Sequence, residues 1–231
     1  MTTLKVFIGY DPRQPVAFQV LAHTVWKHAS VPVQITRLAL EQLPITRRGL
    51  TEFTYSRFLV PWLCNFGEPD APGPDTSIFL DSDILCRHDL ADLLTYPLAY
   101  PDCAVFVVEH PKRKFERPSV MVFNNKLCKM LTPLYVQSKE NDLFSFAWAK
   151  QVGTLPPQWN HLVGYDAPNP LAHLVHFTQG IPCWPETVHC EFAKEWQEAL
   201  NDANSTVSYK NLMSHSVHDK YVQQRLQEQP T

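Results

Sequence analysis

Glycine is scarce in this sequence, which has 7 glycines and 20 prolines among its 231 residues. Neither Gly-x-Gly-x-x-Gly nor Gly-x-x-x-x-Gly-Lys occurs, which excludes the dinucleotide-binding and P-loop sites that need those glycines. A nucleotidyltransferase is disfavoured too, because its phosphate loop is rich in glycine and the first apolar run offers only Gly9. The many prolines predict sharply ended elements and stiff connections.

Charged residues are also few, at 19% of the chain, and the formal net charge is only -3 with a sequence pI of about 6.3. A nucleic-acid-binding protein normally shows a basic stripe or a high pI, so we expect no nucleic-acid partner. Hydrophobic residues make up 45% and aromatic residues 12%, which is enough for a packed interior. The length fits one medium domain.

The sequence has no Cys-x-x-Cys pair and no apolar run of about 20 residues that could span a bilayer. Several cysteines lie inside apolar runs, where free cysteine packs as a small hydrophobic residue. The first residues lead into a strand-like run without a signal-peptide pattern. We therefore expect a cytoplasmic protein with no transmembrane segment and six free thiols: Cys64, Cys86, Cys103, Cys128, Cys183 and Cys190.

The apolar pattern predicts an α/β fold. A strand over 4–10, a helix over 14–28 and a second strand over 31–38 form a β-α-β opening, which is typical of a mostly parallel central sheet flanked by helices. We further predict helices over 54–66, 89–94, 143–152 and 191–200, and strands over 77–80, 103–108, 120–123 and 171–177. No internal repeat or linker divides the chain, so one domain over 1–231 is expected.

Two carboxylates, Asp81 and Asp83, directly follow the apolar strand at 77–80. Ligands of open α/β sheets bind at the carboxyl ends of strands, and Mg²⁺ or Mn²⁺ takes one or two carboxylates together with substrate phosphates. A turn is the simpler reading of Asp-x-Asp, but the apolar flanks make two idle carboxylates costly. Ile84 and Leu85 follow the triplet where phosphohydrolases with an Asp-x-Asp nucleophile have Gly-Thr, which sets that class aside.

The chain resembles glycosyltransferase family 8 and its small bacterial and viral relatives over roughly 6–196. The densest similarity joins the run from Phe53 to Pro61 with the run from Ile78 to Leu85, which together look like the family's "Y-x-R-x-x-x-P … Y-L-D-x-D-x-x-V" pattern. Leu155-Pro-Pro-Gln-Trp-Asn160 matches an "L-P-x-x-W-N" element of the small relatives. His176 to Trp184 resembles the closing "H-x-x-G-x-x-K-P-W" segment.

This resemblance implies a single Rossmann-like GT-A type domain and a metal-dependent glycosyltransferase. Its donor is expected to be a nucleotide-diphosphate sugar, most simply a UDP-sugar, and its cofactor Mn²⁺ or Mg²⁺. The implied metal ligands are Asp81, Asp83 and His176. The implied donor-binding residues are Tyr10, Asp11, Arg57, Ser82, Ser119 and Gly180. About 1–100 would hold nucleotide and metal, about 101–200 donor sugar and acceptor, and 201–231 would be a C-terminal helix and tail.

The sequence departs from the family pattern at the phosphates. The lysine of the closing segment is replaced in the Pro182-Cys183 region, Gly180 is shifted by one residue, and Arg117-Pro-Ser119 replaces the usual N-x-G. We therefore expect Arg57 to offset the phosphate charge by bidentate contact, with Arg117 and Lys112 as alternatives.

The reaction is expected to retain the anomeric configuration, with Asp142 and Asp166 as candidate catalytic carboxylates; a solvated loop acid is the simpler reading of each. The acceptor, a glycan, lipid or protein, is not identified, although aromatic residues could form its platform: Trp148, Trp159, Tyr165, Trp184 and Trp196. A non-catalytic nucleotide-sugar-binding module remains an alternative, and a sugar nucleotidyltransferase a weaker one.

Overall fold

A computed structural model of the chain describes residues 3–67 and 75–205. Its central sheet has six strands in the order β2-β1-β3-β6-β5-β7, and β6 is the one strand antiparallel to the other five. The strands are β1 (Leu4–Tyr10), β2 (Val33–Ala39), β3 (Thr76–Leu80), β4 (Ile84–Cys86), β5 (Val105–Val108), β6 (Val120–Asn124), β7 (Val152–Leu155), β8 (His161–Leu162) and β9 (Leu174–His176). The predicted mostly parallel α/β sheet is confirmed.

Both faces of the central sheet are buried, because alternate residues of each strand point to opposite sides. In β1, Val6 and Ile8 belong to one core cluster and Phe7 to the other. The same alternation separates Ile78 from Phe79 in β3. Two apolar faces explain why these strands read as continuous hydrophobic runs in the sequence.

Helices cover the two faces of the sheet. The helices are α1 (Pro15–His28), α2 (Val60–Leu63), α3 (Thr95–Ala99), α4 (Pro133–Gln137) and α5 (Ala193–Ser205). Helix α1 packs Leu21 and Val25 on one face of the sheet. Ala17 and Val20, on an adjacent stripe of the same helix, pack in a third apolar cluster that includes Trp196 of α5.

A second, three-stranded sheet has the order β4-β9-β8. Strand β4 begins directly after the acidic triplet and runs antiparallel to β9, so that Ile84 lies opposite His176. Strand β8 runs parallel to β9 and places Leu162 opposite His176. Pairing in this small sheet therefore brings a histidine from late in the sequence beside Asp83.

The helix predicted over 54–66 is wrong as a continuous element. The structure has a short 3-10 turn at Ser56–Leu59 and then the four residues of α2. Pro61 explains the break, because it has no N–H to donate and its ring is tolerated only in the first turn of an α-helix. Asn65, Phe66 and Gly67 all have positive φ and end the segment.

The helix predicted over 143–152 is also wrong. Asp142 caps a single 3-10 turn by accepting the N–H groups of Phe144 and Ser145, and Phe146 then adopts a left-handed conformation with φ 59°. The chain continues into edge strand β7, which the sequence analysis did not predict. The aromatic residues of this segment pack in the core, but they do not lie along one face of a helix.

All six cysteines are free, as predicted. Within the described ranges, no helix is long and apolar enough to cross a membrane. The helix predicted over 191–200 corresponds to α5. Of the C-terminal helix and tail predicted over 201–231, residues 206–231 lie outside the described residues.

Replacing Phe58 with alanine is expected to lower the free energy of unfolding by about 3–5 kcal/mol. Phe58 is fully buried and its ring meets those of Phe144, Phe146 and Trp148 edge to face. Urea denaturation measures the change. The matched control is Phe115→Ala, which removes a ring that is 58% exposed and is expected to change stability by well under half as much. Equal losses in the two variants would contradict this account of the core.

Candidate active site

The acidic triplet lies at the carboxyl end of β3, where the chain passes from the central sheet to the small one. Asp81 donates its backbone N–H to the carbonyl oxygen of Ser119 at 2.9 Å, which continues the ladder with β6. The carbonyl oxygen of Asp83 accepts the N–H of Phe177 at 2.9 Å. The backbone of the triplet is thus bonded at both ends, and this fixes where the two carboxylates project.

Asp81, Asp83 and His176 come together in the structure. One ligand atom from each residue lies within 4.8 Å of the others. The Nε2 atom of His176 is 3.3 Å from Oδ1 of Asp83. His176 is 2% exposed and Asp81 7% exposed, so the group is nearly shielded from solvent, and Asp83 forms its partly open side.

Asn160 fixes the orientation of the His176 ring. Its side-chain oxygen lies 3.1 Å from Nδ1 of His176, while its side-chain nitrogen donates to the carbonyl oxygen of Glu116 at 3.2 Å. An amide oxygen only accepts, so Nδ1 carries the proton and, in the neutral ring, the lone pair of Nε2 faces Asp83. The sequence analysis had Asn160 in a motif but gave it no role.

Glu116 is a buried carboxylate that the sequence analysis missed. It accepts hydrogen bonds from the hydroxyls of Ser119 at 3.2 Å and Thr178 at 2.5 Å, and one oxygen lies 3.9 Å from Nδ1 of His176. Thr178 is 62 residues away in the sequence, so no local pattern indicates this pairing. Glu116 adds negative charge behind the ring and ties the segment before β6 to the segment after β9.

Arg57 lies beneath Asp81 and is 5% exposed. Its Nη1 is 2.9 Å from Oδ1 of Asp81 and donates to the carbonyl oxygen of Pro118 at 3.0 Å, while Nε donates to the carbonyl oxygen of Phe53. These contacts are all with protein groups, and the guanidinium is enclosed. In this structure the charge of Arg57 is directed at Asp81. Its predicted bidentate contact with phosphate stays a prediction.

Burial and neighbouring charges shift the pKa values of this cluster in opposite ways. Burial raises the pKa of Asp81 to about 7, against the lowering effect of Arg57. Burial by itself lowers the pKa of His176, but the negative charges of Asp83, Asp81 and Glu116 outweigh it and raise that pKa to about 9. When no metal ion is bound, the imidazole of His176 is thus protonated at neutral pH and lies among carboxylates.

The polar atoms of the cluster fit a divalent cation. Oδ1 of Asp81 and Oδ1 of Asp83 are buried and make no hydrogen bond with any described residue, although each lies near a positively charged partner. Buried carboxylate oxygens without hydrogen bonds are costly, and a cation satisfies them. Two carboxylates and one imidazole form a donor set suited to Mn²⁺ or Mg²⁺ that leaves positions for substrate oxygens.

A cleft of about 330 Å³ opens beside the triplet. It is lined by three residues predicted to bind donor or metal, Asp11, Ser82 and Asp83, and by Trp184, which the sequence suggested as an acceptor platform. Four further lining residues were given no role from the sequence: Arg13, Gln14, Thr51 and Phe53. Arg13 binds both oxygens of Asp11, at 2.9 and 2.5 Å, and holds the pKa of that carboxyl below its usual value. The cleft therefore joins the end of β1 to the end of β3.

The other residues predicted to bind the donor are dispersed around this cleft. Tyr10 ends β1, packs edge to face on Phe18 and lies under the guanidinium of Arg37. Ser119 is 1% exposed and bonded to Glu116. Gly180 has a φ of 117°, and an added Cβ would lie 3.2 Å from the Trp184 ring, so the turn that presents Trp184 requires glycine. Their contacts with a donor stay predictions.

The two candidate catalytic carboxylates occupy different settings. Asp142 is the exposed cap already described. Asp166 accepts the N–H of Leu162 at 2.8 Å and lines a second cavity of about 470 Å³. Lys112, an alternative phosphate partner, lines the same cavity, whereas Arg117 is paired with Glu109 at 2.6 Å. A catalytic role for either carboxylate stays a prediction.

The aromatic residues considered as acceptor platforms divide by exposure. Trp184 is 47% exposed in the cleft and Tyr165 is 41% exposed in the second cavity. The remaining three are core residues, each at most 3% exposed: Trp148, Trp159 and Trp196.

Comparison with known proteins identifies the fold of the chain. No family model matches the chain. Protein CDI of Arabidopsis thaliana is 28% identical over 238 aligned positions, which cover 87% of each protein. Among solved structures, the WbbM bifunctional glycosyltransferase has a TM-score of 0.62 at 16% identity, over 86% of this chain and 50% of its own, so the chain spans half of that protein.

Two further structures are similar along most of this chain. GlyE of Streptococcus pneumoniae TIGR4, a glycosyltransferase, has a TM-score of 0.59 at 17% identity and covers 89% of this chain and 64% of its own. The galactosyltransferase LgtC, solved with donor and acceptor sugar analogues, has a TM-score of 0.56 at 13% identity over 86% of this chain and 96% of its own. The chain has the GT-A fold. This confirms the predicted GT-A type α/β fold and, at the level of the fold, the resemblance to glycosyltransferases.

Without added metal, this GT-A protein is expected to lose stability as pH rises from about 6.5 to 9. The pKa of folded His176 is about 9 and lies above the ordinary value of 6.5, so its stabilising contribution is complete below pH 6.5 and disappears as the pH passes 9. The loss is on the order of 3 kcal/mol. Urea denaturation in a chelator across this range measures it.

The comparison uses His176→Asn, which cannot titrate there, and the control His189→Asn, which changes an exposed ring. His176→Asn is expected to flatten the pH dependence of the free energy of unfolding. His189→Asn is expected to leave that dependence as in the parent protein. A parent profile that rises with pH contradicts the assigned direction.

Proposed function

We propose that this protein is a metal-dependent glycosyltransferase that moves a sugar from a nucleotide-diphosphate sugar, most simply a UDP-sugar, to an acceptor, with retention of configuration. The observation that carries the proposal is the convergence of Asp81, Asp83 and His176 at the mouth of a cleft, with two buried carboxylate oxygens that lack hydrogen bonds. The GT-A fold of the chain supports it.

The proposed cation is Mn²⁺ or Mg²⁺, held by Asp81, Asp83 and Nε2 of His176. When bound, it supplies Lewis-acid stabilisation of the negative charge that develops on the diphosphate leaving group. The protein residues prepare this position beforehand. Arg57 favours the ionised form of Asp81 and orients it, and Asn160 holds the imidazole so that in the neutral ring the Nε2 lone pair faces Asp83.

The cleft is the proposed donor site. Asp11 and Ser82 line it together with the half-exposed ring of Trp184, which offers an apolar face to a flat or ring-shaped ligand part. Arg13 places its guanidinium in the cleft. It is a candidate to contact the phosphates in place of the lysine that this sequence lacks. In this proposal the first hundred residues or so hold the nucleotide and two metal ligands, and the later part supplies His176 and the sugar-facing surface.

Replacing Asp83 with asparagine is expected to lower metal-dependent hydrolysis of nucleotide sugars on the order of a hundredfold or more, because one anionic oxygen ligand is lost while the side-chain shape is kept. A screen of UDP-, GDP- and ADP-sugars with Mn²⁺, with release of the nucleoside diphosphate as readout, measures it. The control Asp102→Asn changes an exposed aspartate outside the cleft and is expected to retain full activity.

The screen also separates the proposal from its main rival. A non-catalytic module of the same fold binds a nucleoside diphosphate with Mn²⁺ but releases none from any donor. Turnover by Asp83→Asn at the parent rate in a metal chelator, or no binding of any nucleoside diphosphate by the parent protein, would rule out the metal-dependent enzyme.

Replacing Asn160 with leucine is expected to weaken Mn²⁺ binding about 10- to 100-fold, since the ring of His176 loses the acceptor that fixes it. Asn160→Asp keeps an acceptor oxygen opposite Nδ1 and is expected to bind the metal more tightly than the leucine variant. Direct titration with Mn²⁺, followed by its electron paramagnetic resonance, measures affinity without any turnover. Equal affinity of the parent and both variants contradicts the positioning role.

A further inference from the structure

A second cavity lies at the small sheet, near the proposed metal-binding group, and shares no lining residue with the donor cleft. It has a volume of about 470 Å³ and is lined by the loop after β5 and the loop after β8. Leu162 lines the cavity and also pairs with His176 across the β8-β9 ladder. Val163 donates its N–H to the carbonyl oxygen of His176 at 3.0 Å. The cavity and the imidazole are therefore separated by the thickness of one strand pair.

The cavity presents more positive than negative charge. Lys112 and Arg113 line it, and Asp166 is the one carboxylate residue in its wall. In the part of the chain that the structure describes, neither Lys112 nor Arg113 makes an ion pair. Two cations without a carboxylate partner in one concave surface favour an anionic ligand.

The side chain of Arg113 contacts an aromatic ring and makes no hydrogen bond to any residue that the structure describes. Its guanidinium carbon lies 3.1 Å from the centre of the Tyr165 ring. This contact with the ring leaves the N–H groups of the guanidinium available to phosphate or carboxylate oxygens, which its fork of donors matches. Tyr165, at 41% exposed, also leaves an aromatic surface for a sugar ring.

His110 adds a buried polar atom without a partner. The residue lines the cavity and is 8% exposed, and its Nε2 makes no hydrogen bond within residues 3–67 and 75–205. A buried nitrogen without a partner is costly, and a ligand group that reaches it restores the missing bond.

We propose that this cavity is the acceptor site and that it takes an acceptor carrying a phosphate or carboxylate group, bound by Lys112, Arg113 and His110 with the sugar or alcohol part against Tyr165. The inference rests on the proposed glycosyltransferase function and adds the class of acceptor. Asp166 faces the same space and lies where it can contact an acceptor hydroxyl.

The test is calorimetric titration of the full chain, without metal and in a chelator, with glucose 6-phosphate, glucuronate and glucose. The two anionic sugars are expected to bind at least about tenfold more tightly than glucose, and the advantage is expected to fall as salt is raised. Binding of glucose 6-phosphate alone identifies phosphate as the recognised group, and binding of both anions identifies charge.

The variants test where the anion binds. Lys112→Ala with Arg113→Ala is expected to weaken glucose 6-phosphate binding about tenfold, which two partly exposed charge contacts provide. Lys112→Arg keeps the charge and is expected to bind as the parent does. The matched control is Lys129→Ala with Lys139→Ala, which removes two exposed charges outside the cavity. Thermal melting checks that each variant is folded.

Equal affinity for glucose and the two anions, or an unchanged affinity in the Lys112 and Arg113 double variant, overturns the inference. The outcome is independent of the proposed catalysis. If the protein hydrolyses a nucleotide sugar but binds no anion in this cavity, the acceptor-site inference is wrong and the proposed function stands. If the protein binds anions in this cavity but hydrolyses no nucleotide sugar, the cavity is an anion site and the proposed transferase function is wrong.

Discussion

A buried cluster of opposite charges at the end of β3 is the constraint on which the rest of this structure depends. Water has little access to four of its members, Arg57, Asp81, Glu116 and His176, and Asp83 forms its partly open side. Ions removed from water are tolerated only when partners surround them, so the neighbouring segments must be held in place with accuracy. The hydroxyls, amides and carbonyl groups that close on the cluster come from segments far apart in the sequence. A fold that positions them all has little freedom left around this point.

The two sheets divide the work of building that cluster. The central sheet ends its strands at one edge, which places Asp81 beside the start of β6 and the end of β1. The small sheet then carries the chain away from Asp83 and returns it at His176. One cavity opens on the β1 side of this junction and the other on the β8 side. A donor and an acceptor bound in the two cavities would meet near the carboxylates, which is the geometry that group transfer needs.

The sequence predicted the parts of this arrangement that local patterns control. Strand β1 matches its predicted bounds, and the strand before Asp81 was recognisable because both faces of the sheet are apolar. His176 entered only through its similarity to a known segment. The environment of Arg57 and the presence of Glu116 depend on tertiary contacts that no spacing reveals. The helix predicted over 143–152 failed for a related reason, since tertiary packing of aromatic residues outweighed local helix preference.

The register between β4 and β9 has a consequence for how a cation would be captured. Because Ile84 lies opposite His176, hydrogen bonds of the ladder hold the imidazole beside the carboxylates before any ion arrives. The imidazole of His176 would thus be a ligand at high effective concentration. It loses its conformational freedom when the chain folds, and would lose little more when an ion binds. Capture and release of an ion can then proceed without rearrangement of the backbone. Selectivity in such a rigid setting follows the size and coordination preference of the ion.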